Sequence, residues 1–195
     1  MQEPKGKITH LAIGTGGAGG TFYYVGSAMA QVINKYVKGV NAVAEASPTI
    51  AQNIKMVQAK EQSFGLAQPE GVFHAFKGLK NPWNLPSTPD IRIVCAGHDQ
   101  VLHVVALAKS GIKAMKDING KRVAVGSAAS MPIAVELLKF HGVPESSIKV
   151  RFLPLSEQAQ GLKDGTLDVG TFHSGLPIPA VIELTSTDSV NFLPI

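Results

Sequence analysis

The sequence predicts an α/β chain of two lobes, and three observations predict it. From residue 8 the chain runs apolar strand, glycine loop, amphipathic helix, strand, helix, strand. The same grammar returns from Arg122 onward, and a Pro/Asn-rich stretch at residues 81–89 separates the two copies. Alternating strand and helix patterns are the signature of parallel βαβ units.

The first copy opens on residues 8–13, where Ile8, Leu11, Ala12 and Ile13 form a short apolar run closed by Gly14, as expected of a buried parallel strand. A loop with five glycines, counting Gly14, ends at Thr21. Tyr24, Val25, Ala28, Met29, Val32, Ile33 and Tyr36 then recur three and four apart, which is the apolar stripe of a helix stopped by Gly39. Residues 40–46 read as a second strand. Ser47-Pro48-Thr49 starts a helix carrying Ile50, Ile54 and Val57, and residues 64–67 read as a third strand ending at Gln68.

In the second copy, residues 122–125 form a strand and residues 126–130 a small-residue loop. A helix follows over residues 132–140, bearing Ile133, Ala134, Leu137 and Leu138, with Gly142 closing it. Residues 148–153 give a strand, Ser156 caps a helix holding Leu162, and residues 167–170 lead to Phe172-His173. Between the copies, residues 91–96 and 103–108 read as strands, the first placing Cys95 in a buried run with Ile93 and Val94. At the end, residues 179–184 read as a helix and 190–193 as a last strand.

Composition narrows the function. Of 195 residues, 45% are apolar and only 16% charged, with 20 glycines and 12 prolines, which suits a loop-rich globular domain rather than a disordered chain. The net charge of +4 is scattered, with no run of the nucleic-acid-binding type, so no nucleic-acid partner is expected. No stretch reaches the roughly 18 apolar residues of a membrane span. Residues 1–5 carry no apolar leader. The single cysteine leaves the redox compartment open.

Two readings compete for the glycine loop. Gly14-x-Gly16-x-x-Gly19 between strand and helix matches the dinucleotide fingerprint, with Glu45 as the ribose acid, and would make the chain an NAD(P)-dependent oxidoreductase. A glycine loop can also simply turn tightly. Both copies together favour something else. Loops at the carboxyl ends of parallel strands open onto a ligand crevice, and the following helix offers free N–H groups and a positive dipole end. Two facing lobes would set Gly16, Gly17 and Thr21 across from Ser127 and Ser130, neutral donors that hold a small carboxylate.

The run from Ile13 through Gly14-Thr15-Gly16-Gly17 to Tyr23-Tyr24 carries a resemblance, together with Glu45-Ala46-Ser47, Phe64-Gly65-Leu66-Ala67-Gln68, Lys121-Arg122-Val123-Ala124-Val125-Gly126 and Phe172-His173-Ser174-Gly175-Leu176-Pro177. In that order these pieces resemble the TAXI family, the extracytoplasmic solute receptors of tripartite ATP-independent periplasmic (TRAP) transporters, over nearly the whole chain. The resemblance implies a type II periplasmic-binding-protein fold, two α/β lobes with a ligand cleft. Residues 1–95 would form the first lobe, 96–190 the second and 191–195 a returning crossover strand. Family chains run on further, so the C-terminal part of the first lobe is expected to be missing, leaving apolar surface uncovered.

The resemblance also implies a periplasmic or otherwise extracytoplasmic, non-enzymatic receptor without a cofactor, which captures a glutamate-like acid and docks on membrane permease subunits. Its pocket would use Thr15, Gly16, Gly17, Tyr23, Ser47 and Gln68 from the first lobe, and Gly126, Ser127, Ser130, Phe172, Gly175 and Pro177 from the second. Pro48-Thr49-Ile50 and Ala128, Ala129, Met131 and Pro132 depart from the family's glycine- and serine-rich turns, which implies a ligand more apolar than glutamate.

The remaining candidates read more plainly. His173 follows a strand at the expected cleft and is a candidate hydrogen-bond partner of the ligand. His98, Asp99 and His103 lack helix-face metal spacing, so no metal site is expected. Gly-x-Ser-x-Gly does not occur, and nothing polar in sequence activates Cys95. Asp117 and Asn119 make a turn before Gly120. A sensing module attached to a regulator would share this fold and stays open as a third class. None of the three arginines, Arg92, Arg122 and Arg151, lies at a strand's carboxyl end, so the acid is expected to be held by backbone N–H groups and hydroxyls.

Overall fold

Strand pairing sorts the chain into two sheets. The computed structural model describes residues 8–81, 83–126 and 130–195. These fall into two compact units, residues 8–17 with Phe22–Cys95, and Ala18–Thr21 with Ala96–Ile195. In the first unit β1 (Thr9–Gly14) lies between β2 (Val40–Glu45) and the short β3 (Phe64–Gly65), parallel to both. Helix α1 (Thr21–Tyr36) packs Met29, Ala30 and Ile33 on Leu11 and Ile13 of β1 and on Ala42 and Ala44 of β2. Asn34 closes the open edge of β2 by bonding both backbone groups of Ala42, at 2.8 and 2.6 Å. That blocks an edge that could otherwise recruit another strand.

Helix α2 (Ile50–Gln58) starts where Thr49 turns its side chain onto the N–H of Gln52, a cap worth about 1 kcal/mol. It buries Ala51 and Ile54 against Ala75 of α3 (Pro69–Lys77) and against Leu85. Sequence reasoning did not predict α3. Its signals are Pro69 at the first turn and Gly78 at φ +65°, the left-handed closing position. Its apolar pattern is blurred, because Phe73 and Phe76 are exposed.

The second unit holds a five-stranded sheet in the order β6-β5-β7-β4-β8. Its members are β4 (Gln100–Leu107), β5 (Arg122–Val125), β6 (Lys149–Phe152), β7 (Val169–Gly175) and β8 (Val190–Phe192). β5 runs parallel to β6 and β7, whereas β4 is antiparallel to both β7 and β8. Both faces are covered. On one, Val104, Val123 and Val169 meet Leu138 of α4 (Met131–Phe140) with Met115 and Ile118 of a 3-10 turn. On the other, Val105, Ala124 and Phe172 meet Ala159 and Leu162 of α5 (Leu155–Lys163) and Val181 and Leu184 of α6 (Pro179–Thr187).

Four expectations change. Residues 91–96 form no strand: the first unit's sheet offers them no partner, and Ile93, Val94 and Cys95 are exposed. Residues 191–195, read as returning to the first lobe, belong to the second unit, where Val190–Phe192 pairs with β4. Pro154, not Ser156, occupies the N-cap of α5. The stripe on α1 is partly bare, since only one strand pair lies beneath it and Tyr24, Val32 and Tyr36 stay exposed.

Candidate functional site

At the carboxyl ends of the first unit's strands, the chain uses its own polar groups to fix the glycine loop. The N–H and hydroxyl of Thr15 both donate to the Glu45 carbonyl, at 2.9 and 2.8 Å. The Thr15 methyl fills the space a side chain at Gly26 of α1 would need. Asn53 of α2, 1% exposed, donates to the carbonyls of Thr15 (2.6 Å) and Leu66 (2.9 Å), tying the ends of β1 and β3 together. Its Oδ1 and the Oε1 of Gln62 have no hydrogen-bond partner, and both point at the Cα of Gly14, where a Cβ would overlap them. Gln62 Nε2 donates to the Glu45 carboxylate at 3.0 Å.

The second unit gathers a small cleft at the carboxyl ends of β5 and β7. Gly126, Ser130, Thr171 and His173 line it, with Leu102, Ile133 and Leu155 as apolar walls. Its volume of about 40 Å³ is room for one or two waters. Gln158, fully buried on α5, braces the site: its Nε2 donates to the Leu153 carbonyl and its Oε1 accepts from the Thr171 N–H, both at 2.9 Å. The Thr171 hydroxyl donates to the Ala124 carbonyl at 2.8 Å. Thr171 is thereby held by two strands and a helix, and His173 stands two residues further along the same strand face.

Charge sits elsewhere. Arg122 meets Asp168 with a two-pronged pair at 2.9 and 2.7 Å at the amino end of β5, and the Arg122 N–H adds a third bond to the same carboxylate. The Arg122 side chain is the main reason the Asp168 carboxyl is held below the usual range, at about 2. Arg92 donates to the Pro89 and Ile91 carbonyls, and Arg151 is an exposed residue of β6. Asp117 is lowered by the N–H groups of Lys113 and Ala114, which it caps. Among the described residues no cluster of His, Cys, Asp and Glu could hold a metal, and no helix is long and apolar enough to cross a membrane.

The expected site residues therefore sort unevenly. Gly126, Ser130 and His173 come together at one cleft. Gly16 is half-buried and Gly17 exposed on the first unit's loop; Tyr23 is half-buried edge-to-face with Tyr24. Gln68 stands half-buried at the N-cap of α3. Ser127 lies outside the described residues. Thr15 and Ser47 are buried and spend their hydroxyls on Glu45 and Thr49 carbonyls. Thr21, expected as a ligand donor, is turned inward: its N–H donates to Ser174 Oγ and its hydroxyl to the carbonyls of Gly175 and Pro177. Gly175 is buried and Pro177 exposed.

Phe172 is the clear correction. It is fully buried between β7 and helices α5 and α6, because neighbours on a strand point to opposite faces and His173 takes the cleft side. That alternation was available in the sequence. Gln158, Thr171 and Leu102 were missed, and no local signal marks them. The dinucleotide reading also loses its third glycine. Gly19, at φ +86°, sits where a Cβ would fall 2.9 Å from the Ser156 nitrogen, and its carbonyl accepts from Ala180 N–H. In the fingerprint that glycine serves the packing of the helix on its own strand.

Solved structures share this architecture. The alkanesulfonate-binding protein SsuA of Xanthomonas axonopodis pv. citri, bound to MOPS, matches with a TM-score of 0.63 at 14% identity, over 97% of this chain and 61% of that one. The periplasmic aliphatic sulphonate-binding SsuA of Escherichia coli matches at 0.57 and 16% identity, over 96% and 60%. A substrate-binding protein of an ABC uptake transporter from Streptococcus pneumoniae, with bound histidine, matches at 0.58 and 14% identity, over 95% and 75%. The chain thus spans about 60% of the length of the sulfonate-binding proteins it matches. These likenesses give the fold, that of the periplasmic binding proteins. The NMT1-like family model matches residues 13–195, and the chain belongs to the NMT1-like family.

Proposed function

We propose that the chain is an extracytoplasmic, non-enzymatic receptor that captures a small organic acid for a membrane transporter. The observation that carries this reading is the convergence of Gly126, Ser130 and His173 at the carboxyl ends of β5 and β7, beside the start of α4. Neutral donors and a helix N-terminus there suit an anion, and none of the three arginines lines that cleft. Gly16, Gly17, Tyr23 and Gln68 of the first unit are proposed as further ligand contacts on the strength of the family resemblance. Ser127 is proposed with them on the strength of the family resemblance. Thr15, Ser47, Gly175 and Pro177 act by positioning these loops. The proposed ligand is a carboxylate, and the proposed partner a TRAP-type permease, both on the residues that resemble the TAXI family.

The names of the solved neighbours favour a second reading, an ABC-type permease with a sulfonate or amino-acid ligand. Calorimetry with glutamate, succinate and MOPS separates the ligand classes, and uptake by cells supplied with each class of permease separates the partners. Ser130→Ala and His173→Ala are expected to weaken the tightest acid tenfold or more. Tight binding of NADH with no response to any acid would replace the receptor reading by the oxidoreductase one.

A further inference from the structure

The cleft at the carboxyl ends of β5 and β7 does not stop at its polar rim. A second, smaller space of about 10 Å³ lies between α4 and the sheet, and Leu102, Val125, Ala134 and Thr171 wall both. Strand register orders the walls. Leu102 pairs with His173 and Val104 with Thr171 across β4 and β7, so one sheet face runs from Leu102 and His173 at the rim to Val104 at depth. Helix α4 grades the same way. Ile133, 41% exposed, stands at the rim, Ala134 faces both spaces, and the buried Leu138 closes the inner one.

The chemistry changes along that path. Among the described residues, Thr171 is the one polar side chain on the inner wall, and its hydroxyl is committed to the Ala124 carbonyl. No described Asp, Glu, Lys or Arg lines either space. A second carboxylate carried inward would lose its water and meet no partner, whereas a methylene there gains by burial. We propose that the ligand is a straight-chain aliphatic monocarboxylate, its acid group at the strand ends and its tail laid inward past Ala134, with the side chain at 134 setting the tail length; this rests on the receptor reading above. The two spaces together hold about three heavy atoms, which sizes the tail. A side chain larger than alanine at 134 would take up the space they share.

The test is calorimetry on the full chain with acetate, propionate, butyrate, hexanoate, succinate and glutamate, comparing wild type with A134V and I133S, each with its melting temperature. Expected in wild type is a gain of about fourfold per added carbon from acetate to butyrate, the value of one buried methylene, and no further gain at hexanoate. Butyrate should bind tenfold or more tighter than succinate, which has the same number of carbons and a second charge. A134V should lose the gain for butyrate yet hold acetate as wild type does, a split that general damage to the fold would not produce. Should A134V melt well below wild type, I133S at the rim carries the same comparison, with a larger loss for butyrate than for acetate. Succinate or glutamate binding wild type as tightly as butyrate, or equal losses for acetate and butyrate in a variant that melts as wild type does, would overturn the proposal while the receptor reading stands. A wild-type chain that binds none of these acids removes the receptor reading and this proposal together.

Discussion

The two βαβαβ copies share a strand order, β2-β1-β3 against β6-β5-β7, and both send a buried amide from the second helix to the strand ends. They differ in how completely that amide is used. Gln158 is satisfied at both its oxygen and its nitrogen, whereas Asn53 donates twice and leaves Oδ1 without a partner. The sheets differ likewise. The second has a core on each face, but in the first Val43 points outward at 51% exposure. One topology thus supports a tightly closed copy and a looser one, and the polar bookkeeping of a single side chain tracks the difference.

Truncating the two amides breaks the comparison most sharply. Gln158→Ala strands a buried N–H and a carbonyl and opens a cavity, and should cost the second unit about 4 kcal/mol. Asn53→Ala should cost the first unit only about 2 kcal/mol, since it also removes an unpaired oxygen. Hydrogen exchange resolved by unit measures both. Equal losses would show that the orphaned oxygen is immaterial.

The loop glycines come next. Gly14→Ala drives a methyl into Asn53 and Gln62, neither able to retreat without breaking a hydrogen bond, and should cost about 3 kcal/mol. Gly126→Ala, at the matching turn of the second copy, meets among the described residues only Ser130 Oγ, at 3.8 Å, and should change stability by less than about 0.5 kcal/mol. Urea unfolding of the pair separates a glycine required by its neighbours from one whose side-chain space is open.

The ion pair gives a smaller effect confined to the second unit. With its pKa depressed to about 2, Asp168 adds stability above the ordinary carboxylate range, and that stability is lost as pH falls from about 4 to about 2. The side chain is 27% exposed, so screening trims the contribution to about 1 kcal/mol. Asp168→Asn should flatten the acid limb of a stability–pH curve for the second unit and leave the first unchanged. An unaltered acid limb would assign that slope to other carboxylates.

Much of this was legible. β5 is an apolar run followed by a glycine, and it reads that way because both faces of its sheet are buried, whereas β1 and β2 are legible from the glycine and the acid that end them. The apolar run at 91–96 reads identically, yet whether it becomes a strand depends on a partner far away in sequence. The candidate cleft was legible where a loop follows a strand, at Gly126 and Ser130. It was not legible at Gln158 or Thr171, whose places come from strand register and from a helix packed over the sheet.

The four residues Ala18–Thr21 count with the second unit although the chain on either side belongs to the first. Thr21 makes its bonds to Ser174, Gly175 and Pro177 across more than 150 residues of sequence. Cutting between Cys95 and Ala96 would therefore not yield a self-sufficient second half. The Ser174 hydroxyl and the Gly175 carbonyl would lose their partner. The second unit's hydrogen bonding is complete only with residues 18–21 in place, so a contact that closes more than 150 residues of chain carries the entropy cost of that closure.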